Sequence, residues 1–211
     1  MSIFQSNWKN PDSDLNMYAP TLTLLQTIKK DLEQARRDKQ TTLLTTLITL
    51  YSEASMVGVA QCANFNSPGQ IVISGSVDGV KKAMELCKDA GAKVVKELVV
   101  SAAFHSSLMQ SAKEKLKTAL DATNFYKSKI PVYTNVTAKP VDSISEIKSM
   151  LYEQVTAPVR WDETIRNMID DGVEEFSEIG PGNVLQGLIK RINPDVKRFG
   201  IDKFEDVERF L

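Results

Sequence analysis

Residues 59–100 read VAQCANFNSPGQIVISGSVDGVKKAMELCKDAGAKVVKELVV, and the change of period inside this stretch decides the fold class. Residues 59–64 form a short extended segment, Ser67-Pro68-Gly69 supplies a turn, and 70–74 is a second strand rich in Ile and Val. The spacing then becomes helical. Ser76 is placed to cap a helix reaching about residue 90, with Val80, Ala83, Met84 and Cys87 facing inward and Gly91 as its stop. Residues 93–100 return to a strand pattern.

The same alternation continues toward the C-terminus. A helix is predicted from about His105 to Ala122, with Leu108, Met109, Ala112, Leu116, Ala119 and Leu120 on one face. Residues 131–136 read as a strand and 145–154 as a helix. Asp162 is placed to cap a helix through Asp170, followed by Gly172. Residues 173–179 read as a strand, and Gly180-Pro181-Gly182 turns into a last helix ending at Ile192, before Pro194. Strands alternating with helices predict an α/β protein with mostly parallel pairing. Toward the N-terminus the grammar differs. Leu22, Leu25, Ile28, Leu32 and Ala35 lie on one helical face, and Leu43, Leu44, Leu47, Ile48, Tyr51 and Ala54 on a second, so 21–58 reads as an antiparallel helical hairpin. Residues 1–20, with Pro11 and Pro20, read as a polar leader with little fixed structure.

The bulk composition narrows the partners. A net charge of -1 gives no electrostatic reason to expect nucleic acid or an acidic membrane as a main partner. In the hairpin, Lys29, Lys30, Arg36, Arg37 and Lys39 are offset by Asp31, Glu33, Asp38 and Glu53, so nucleic-acid binding is not expected there either. No apolar run approaches the roughly 18 residues a membrane span needs. The stretch MSIFQSNWKNPDSD has no basic flank and apolar block of a secretory signal. Cys62 and Cys87 are isolated, with no C-x-x-C spacing, as suits a reducing cytosol. The expectation is a cytoplasmic protein.

His105 is the only histidine in the chain, so any Ser-His or Cys-His mechanism must use it. Its position at a helix start should keep the imidazole neutral, as a general base requires. The plainer reading is a half-buried histidine at a helix N-terminus. No nucleophile accompanies it. The G-x-S-x-G turn of α/β-type hydrolases and transferases is absent, and in Gly75-Ser76-Val77-Asp78-Gly79 the serine falls one place too early. Ser106 and Ser107 lie too near His105 in sequence to be presented to it, and Cys62 and Cys87 sit in apolar patterns where thiols are inert. No P-loop and no set of metal ligands is present. Gly180-Pro181-Gly182 could offer backbone N–H groups to a phosphate, although such a turn more often simply starts a helix. Arg160-Trp161 reads as core edge.

Taken in order, NFNSPGQ at 64–70, IVISG at 71–75, FHSSLM at 104–109, PVYTNV at 131–136, Gln154 with PVRW at 158–161, and EIGPG at 178–182 resemble the C-terminal half of the malonyl-CoA:acyl-carrier-protein acyltransferases. The resemblance covers about 59–211. It implies a partial acyltransferase core of α/β-hydrolase-like type (101–211) and a partial ferredoxin-like subdomain (59–100) whose opening strand and helix are replaced by the hairpin. It also implies malonyl-CoA as substrate with no bound cofactor, and acyl carrier protein as partner. His105 matches the family's catalytic histidine, and Gln154 the glutamine whose segment orients it. The family's nucleophile elbow, oxyanion-hole glutamine and carboxylate-binding arginine lie upstream of the matching region and have no counterpart here. Transfer activity is therefore expected to be crippled, leaving a carrier- or synthase-binding module as the alternative. Unpaired sheet edges are expected to favour self-association. Residues 21–58 resemble instead the YqeY-like proteins, relatives of an amidotransferase tail domain. Two partial families meeting near Gly58 imply a fusion, a recombination product or an assembly error.

Overall fold

Pro68 followed by Gly69 at φ +73 is the order a type II turn requires, and it folds β2 (Ala60–Ser67) back on β3 (Gln70–Gly75). In the computed structural model the described residues are 2–5, 58–89 and 91–207. The hairpin expected at 21–58 lies, apart from Gly58, outside them. Two register shifts in β2, between Cys62 and Asn64 and between Phe65 and Ser67, kink this strand against its partner.

After β3 the chain enters α1 (Val77–Asp89) by a close crossing. A Cβ on Gly75 would lie 1.8 Å from the Val59 carbonyl oxygen, and one on Gly79 2.5 Å from it. The two glycines of the elbow-like pentapeptide are thus packing glycines. Its serine is the helix cap: Ser76 Oγ accepts from the Gly79 N–H at 3.2 Å. At the far end Gly91, at φ +87, donates to the Lys88 carbonyl and Ala92 donates to that of Cys87, closing the helix as expected.

The sheet differs from expectation. Ser2–Gln5, within the stretch expected to have little fixed structure, form β1, which inserts between β3 and β4 (Val94–Glu97). The order is β2-β3-β1-β4, and every neighbouring pair is antiparallel. A two-residue turn compels antiparallel pairing of β2 and β3. The crossover through α1 then leaves β3 and β4 parallel to each other with β1 between them. Ser2–Gln5 thus occupy the position between β3 and β4. Ala60, Ile71, Ile73, Val80, Ala83 and Cys87 form the core between this sheet and α1.

Beyond β4, a 3-10 turn (Ser107–Met109) leads into α2 (Gln110–Ala122), so the helix begins five residues after His105 rather than at it. Of the apolar face predicted for α2, Leu108 and Ala119 are exposed, and the buried residue of the helix is Lys113. The strand expected at 131–136 shrinks to β5 (Val132–Tyr133), paired antiparallel with β6 (Pro140–Val141). Between them Thr134–Lys139 curls back: Ala138, buried at φ +57, donates to the Thr134 carbonyl, and Thr134 donates to that of Lys139. Ser143 caps α3 (Ile144–Glu153): its Oγ accepts from the Glu146 N–H at 3.2 Å and donates to Glu146 Oε2 at 2.7 Å.

The last layer is α4 (Trp161–Asp170), β7 (Glu175–Ile179), α5 (Val184–Ile192), β8 (Lys197–Ile201) and a short α6 (Phe204–Val207). Arg160, not Asp162, occupies the cap position of α4. Asp162 sits in the first turn and accepts from Arg166 Nε at 3.1 Å; its burial raises the carboxyl above its ordinary value while Arg166 pulls it back. β7 and β8 are the parallel pair among the described residues. Ile165, Ile189 and Ile192 form a second core with Trp161 and Phe176. The two layers are joined through β2: Phe65 N–H donates to the Val159 carbonyl and Val159 N–H to that of Ala63, each at 2.8 Å. No helix among the described residues is long and apolar enough to cross a membrane.

Candidate functional site

His105 lies in the loop between β4 and the 3-10 turn, half-buried, with φ +57. A left-handed backbone at a residue with a Cβ costs on the order of 1 kcal/mol. Its neighbour holds it there. Ser106 is fully buried; its Oγ donates to the Ala103 carbonyl at 2.6 Å and accepts from the Leu108 N–H at 3.3 Å. That hydroxyl is committed to shaping the loop, which disqualifies it as a nucleophile. Ser107 is exposed, and its backbone N–H donates to Gln61 Oε1 at 2.7 Å, tying the loop to β2.

The ring is gripped on one side. His105 Nδ1 lies 2.9 Å from the Gln154 carbonyl oxygen and 3.2 Å from that of Ala157. Carbonyl oxygens only accept, so Nδ1 carries the hydrogen. In the neutral ring Nε2 then keeps its lone pair, the condition for accepting a proton from a nucleophile. Gln154 follows directly on α3, where backbone carbonyls lack helical partners, and His105 supplies one. What sets the ring is thus the end of α3, not the start of the helix after His105.

His105 and Gln154 are brought together through the glutamine backbone. The Gln154 side chain turns away: its Oε1 accepts from Asn135 Nδ2 at 3.0 Å. Asn135 also uses its carbonyl to accept from the Arg160 N–H at 3.2 Å. Arg160 makes a two-pronged pair with Glu163 (Nε to Oε2 and Nη2 to Oε1, each 2.7 Å), and its Nη1 donates to the Val136 carbonyl at 3.1 Å. These contacts tie the 134–139 loop to the start of α4 and frame the 154–157 turn. Sequence reasoning did not find Ala157 or Asn135; a backbone carbonyl leaves no mark on residue choice.

The remaining candidates resolve into structural roles. Burial, followed by the nearby Cys62, pushes the Cys87 thiol up to about 12, so its thiolate is suppressed. The turn at Gly180-Pro181-Gly182 does open α5, but the helix already holds an anion. Glu178 accepts from the Leu185 and Gln186 N–H groups at 3.0 Å and from Gln186 Nε2 at 3.3 Å. Desolvation raises the Glu178 carboxyl, and these three hydrogen bonds outweigh it and hold it below its ordinary value. A phosphate would have to displace this side chain. Among the described residues, no group of three or more His, Cys, Asp or Glu side chains could hold a metal ion.

Comparison with known proteins matches residues 23–198 to the acyl transferase domain family. The malonyl CoA-acyl carrier protein transacylase of Bacillus subtilis is 47% identical over 150 residues, covering 71% of this chain and 47% of that protein. Among solved structures, an acyl carrier protein S-malonyltransferase from Vibrio cholerae superimposes with a TM-score of 0.75 at 36% identity, over 79% of this chain and 54% of the other. A malonyl-transacylase solved in complex with a type II polyketide synthase acyl carrier protein gives 0.73 at 35% identity, over 78% and 52%. The chain spans about half the length of the relatives it matches.

Proposed function

The chain belongs to the acyl transferase domain family, and from that premise we propose that it serves malonyl transfer from coenzyme A to acyl carrier protein, with His105 as general base. The observation that carries this reading is the hydrogen on Nδ1, shared between the Gln154 and Ala157 carbonyls, which leaves Nε2 as the proton acceptor. Gln154 acts as the orienting residue through its carbonyl. The names of the relatives supply the substrates: malonyl-CoA as donor and acyl carrier protein as acceptor.

A base needs a hydroxyl to activate. No G-x-S-x-G pentapeptide occurs in the 211 residues, so the nucleophile that Nε2 serves comes from polypeptide outside them, and the chain alone transfers little or nothing. Acting without it, the chain is a carrier- or synthase-binding module, a reading favoured by the exposed Phe104 and Leu108 on either side of His105. The order β2-β3-β1-β4 with α1 after β3 supports reading the first layer as a ferredoxin-like subdomain. For 21–58, the helical periodicity supports the YqeY-like hairpin, while the acyl transferase match runs across it to residue 23. Sequencing the source DNA across codons 55–62 tests the junction this implies.

The functional test is a chimera in which residues 59–211 stand in place of the matching half of the Bacillus subtilis relative. It is incubated with malonyl-CoA and holo acyl carrier protein, and the carrier is read by intact mass. Malonylated carrier is expected, and His105→Ala in the chimera should slow its formation by about 10²-fold or more. Equal rates with and without the imidazole would refute the assignment.

A further inference from the structure

Lys113 is the buried residue of α2, and each of its polar contacts falls on one short segment. Its Nζ donates to Glu153 Oε2 at 2.7 Å and to Thr156 Oγ1 at 3.2 Å, and lies 4.5 Å from the centre of the Tyr152 ring. Glu153 precedes Gln154 and Thr156 precedes Ala157. The cation therefore grips the turn at the residue before each of the two carbonyls that hold His105 Nδ1.

Connectivity makes this more than a helix–helix tie. His105 and Lys113 are the two ends of one nine-residue segment, and both ends are attached to the same turn at 153–157. The contacts close a ring: His105 to Gln154 by hydrogen bond, Gln154 to Glu153 by the chain, Glu153 to Lys113 by an ion pair, and Lys113 back to His105 along the chain. The far side of the turn is fixed separately, by Val159 against β2. Within that frame the Thr156 and Ala157 N–H groups donate to the Glu153 carbonyl, and Lys113 adds the side-chain anchors on Glu153 and Thr156. The Lys113 side chain is 9% exposed, and a buried ammonium needs an anionic partner, which Glu153 supplies from its half-exposed side.

We propose that Lys113 is a positioning residue for His105: through Glu153 and Thr156 it holds the 154–157 turn so that both carbonyls share the Nδ1 hydrogen, which fixes the tautomer with Nε2 free. The inference rests on His105 being the base of the proposed transfer, and its test separates the two.

His105 is the only histidine, so a long-range ¹H–¹⁵N spectrum of the full chain contains a single imidazole and reports its tautomer without any activity. It is recorded at alkaline pH, in the range where the imidazole shifts no longer change with pH. In the unmutated chain Nδ1 should appear as the protonated nitrogen and Nε2 as the bare one. Lys113→Met, which keeps the aliphatic stem, should move both ¹⁵N shifts toward their mean as the second tautomer becomes populated, and Lys113→Arg should restore most of the separation. Glu153→Gln loosens the same ion pair from its half-exposed side and decides the matter should the methionine variant not fold; amide spectra establish folding of each variant. Unchanged imidazole shifts in folded Lys113→Met or Glu153→Gln would overturn the role of Lys113 alone. A hydrogen found on Nε2 in the unmutated chain would overturn the base assignment itself.

Discussion

Replacing Ser106 by alanine tests whether the His105 loop is held by one hydroxyl. The side chain is fully buried, so no water can take over its hydrogen bonds. Deleting Oγ removes the cap on the Leu108 N–H, worth about 1 kcal/mol. It also removes the bond donated to the Ala103 carbonyl at 2.6 Å, a net loss of about 1 kcal/mol. Together these destabilise the fold by about 2 kcal/mol, and for a chain of this size each kcal/mol shifts the midpoint by about 2–4 °C. A thermal melt followed by circular dichroism should therefore fall by about 4–8 °C. Ser107→Ala is the internal control: Ser107 is exposed and meets Gln61 through its backbone N–H, so its midpoint should move by no more than the about 0.5 kcal/mol typical of surface changes. A Ser106→Ala melt indistinguishable from that of Ser107→Ala would show that the left-handed His105 backbone does not depend on the serine.

Three further outcomes follow from the same contacts. Glu178→Gln should cost at most about 1 kcal/mol at neutral pH, because the uncharged amide caps α5 less well. The Glu178 carboxyl is held below its ordinary value in the fold, so its contribution is present above the unfolded value and lost as pH falls through the folded one; the gap between the two melts should close from about pH 5 downward, and a gap that widens with acid would refute this. Ile165→Ala, at a side chain 1% exposed in the second core, should cost about 2–5 kcal/mol in urea unfolding, against no more than about 0.5 kcal/mol for the exposed Val184→Ala. With its thiol near 12, Cys87 should resist iodoacetamide in the native chain and react once the chain is denatured, as counted by intact mass.

The sequence by itself determined those features that are settled within about one helical turn of chain. Pro68-Gly69 set the β2–β3 turn, Ser76 the start of α1, Gly91 its end, and the helix to Ile192 was bounded as read. The helix expected from Ser145 begins one residue earlier, at Ile144, behind the Ser143 cap. His105, as the lone imidazole, could be singled out from residue type alone. Only the tertiary structure decided what lies far apart in the chain. β1 gains its place between β3 and β4 from partners 65 to 95 residues away, which four polar-flanked residues do not announce. The tautomer of His105 is set 49 and 52 residues downstream by carbonyls that every residue type possesses, so no residue choice records it. Lys113 falls at helical spacing among Met109, Leu116 and Leu120, and it is buried because Glu153, 40 residues on, lies where its ammonium can reach. Local backbone preference writes itself into residue identity; a backbone acceptor or a long-range charge pair does so weakly, because its energy depends on where the chain returns rather than on what it is made of.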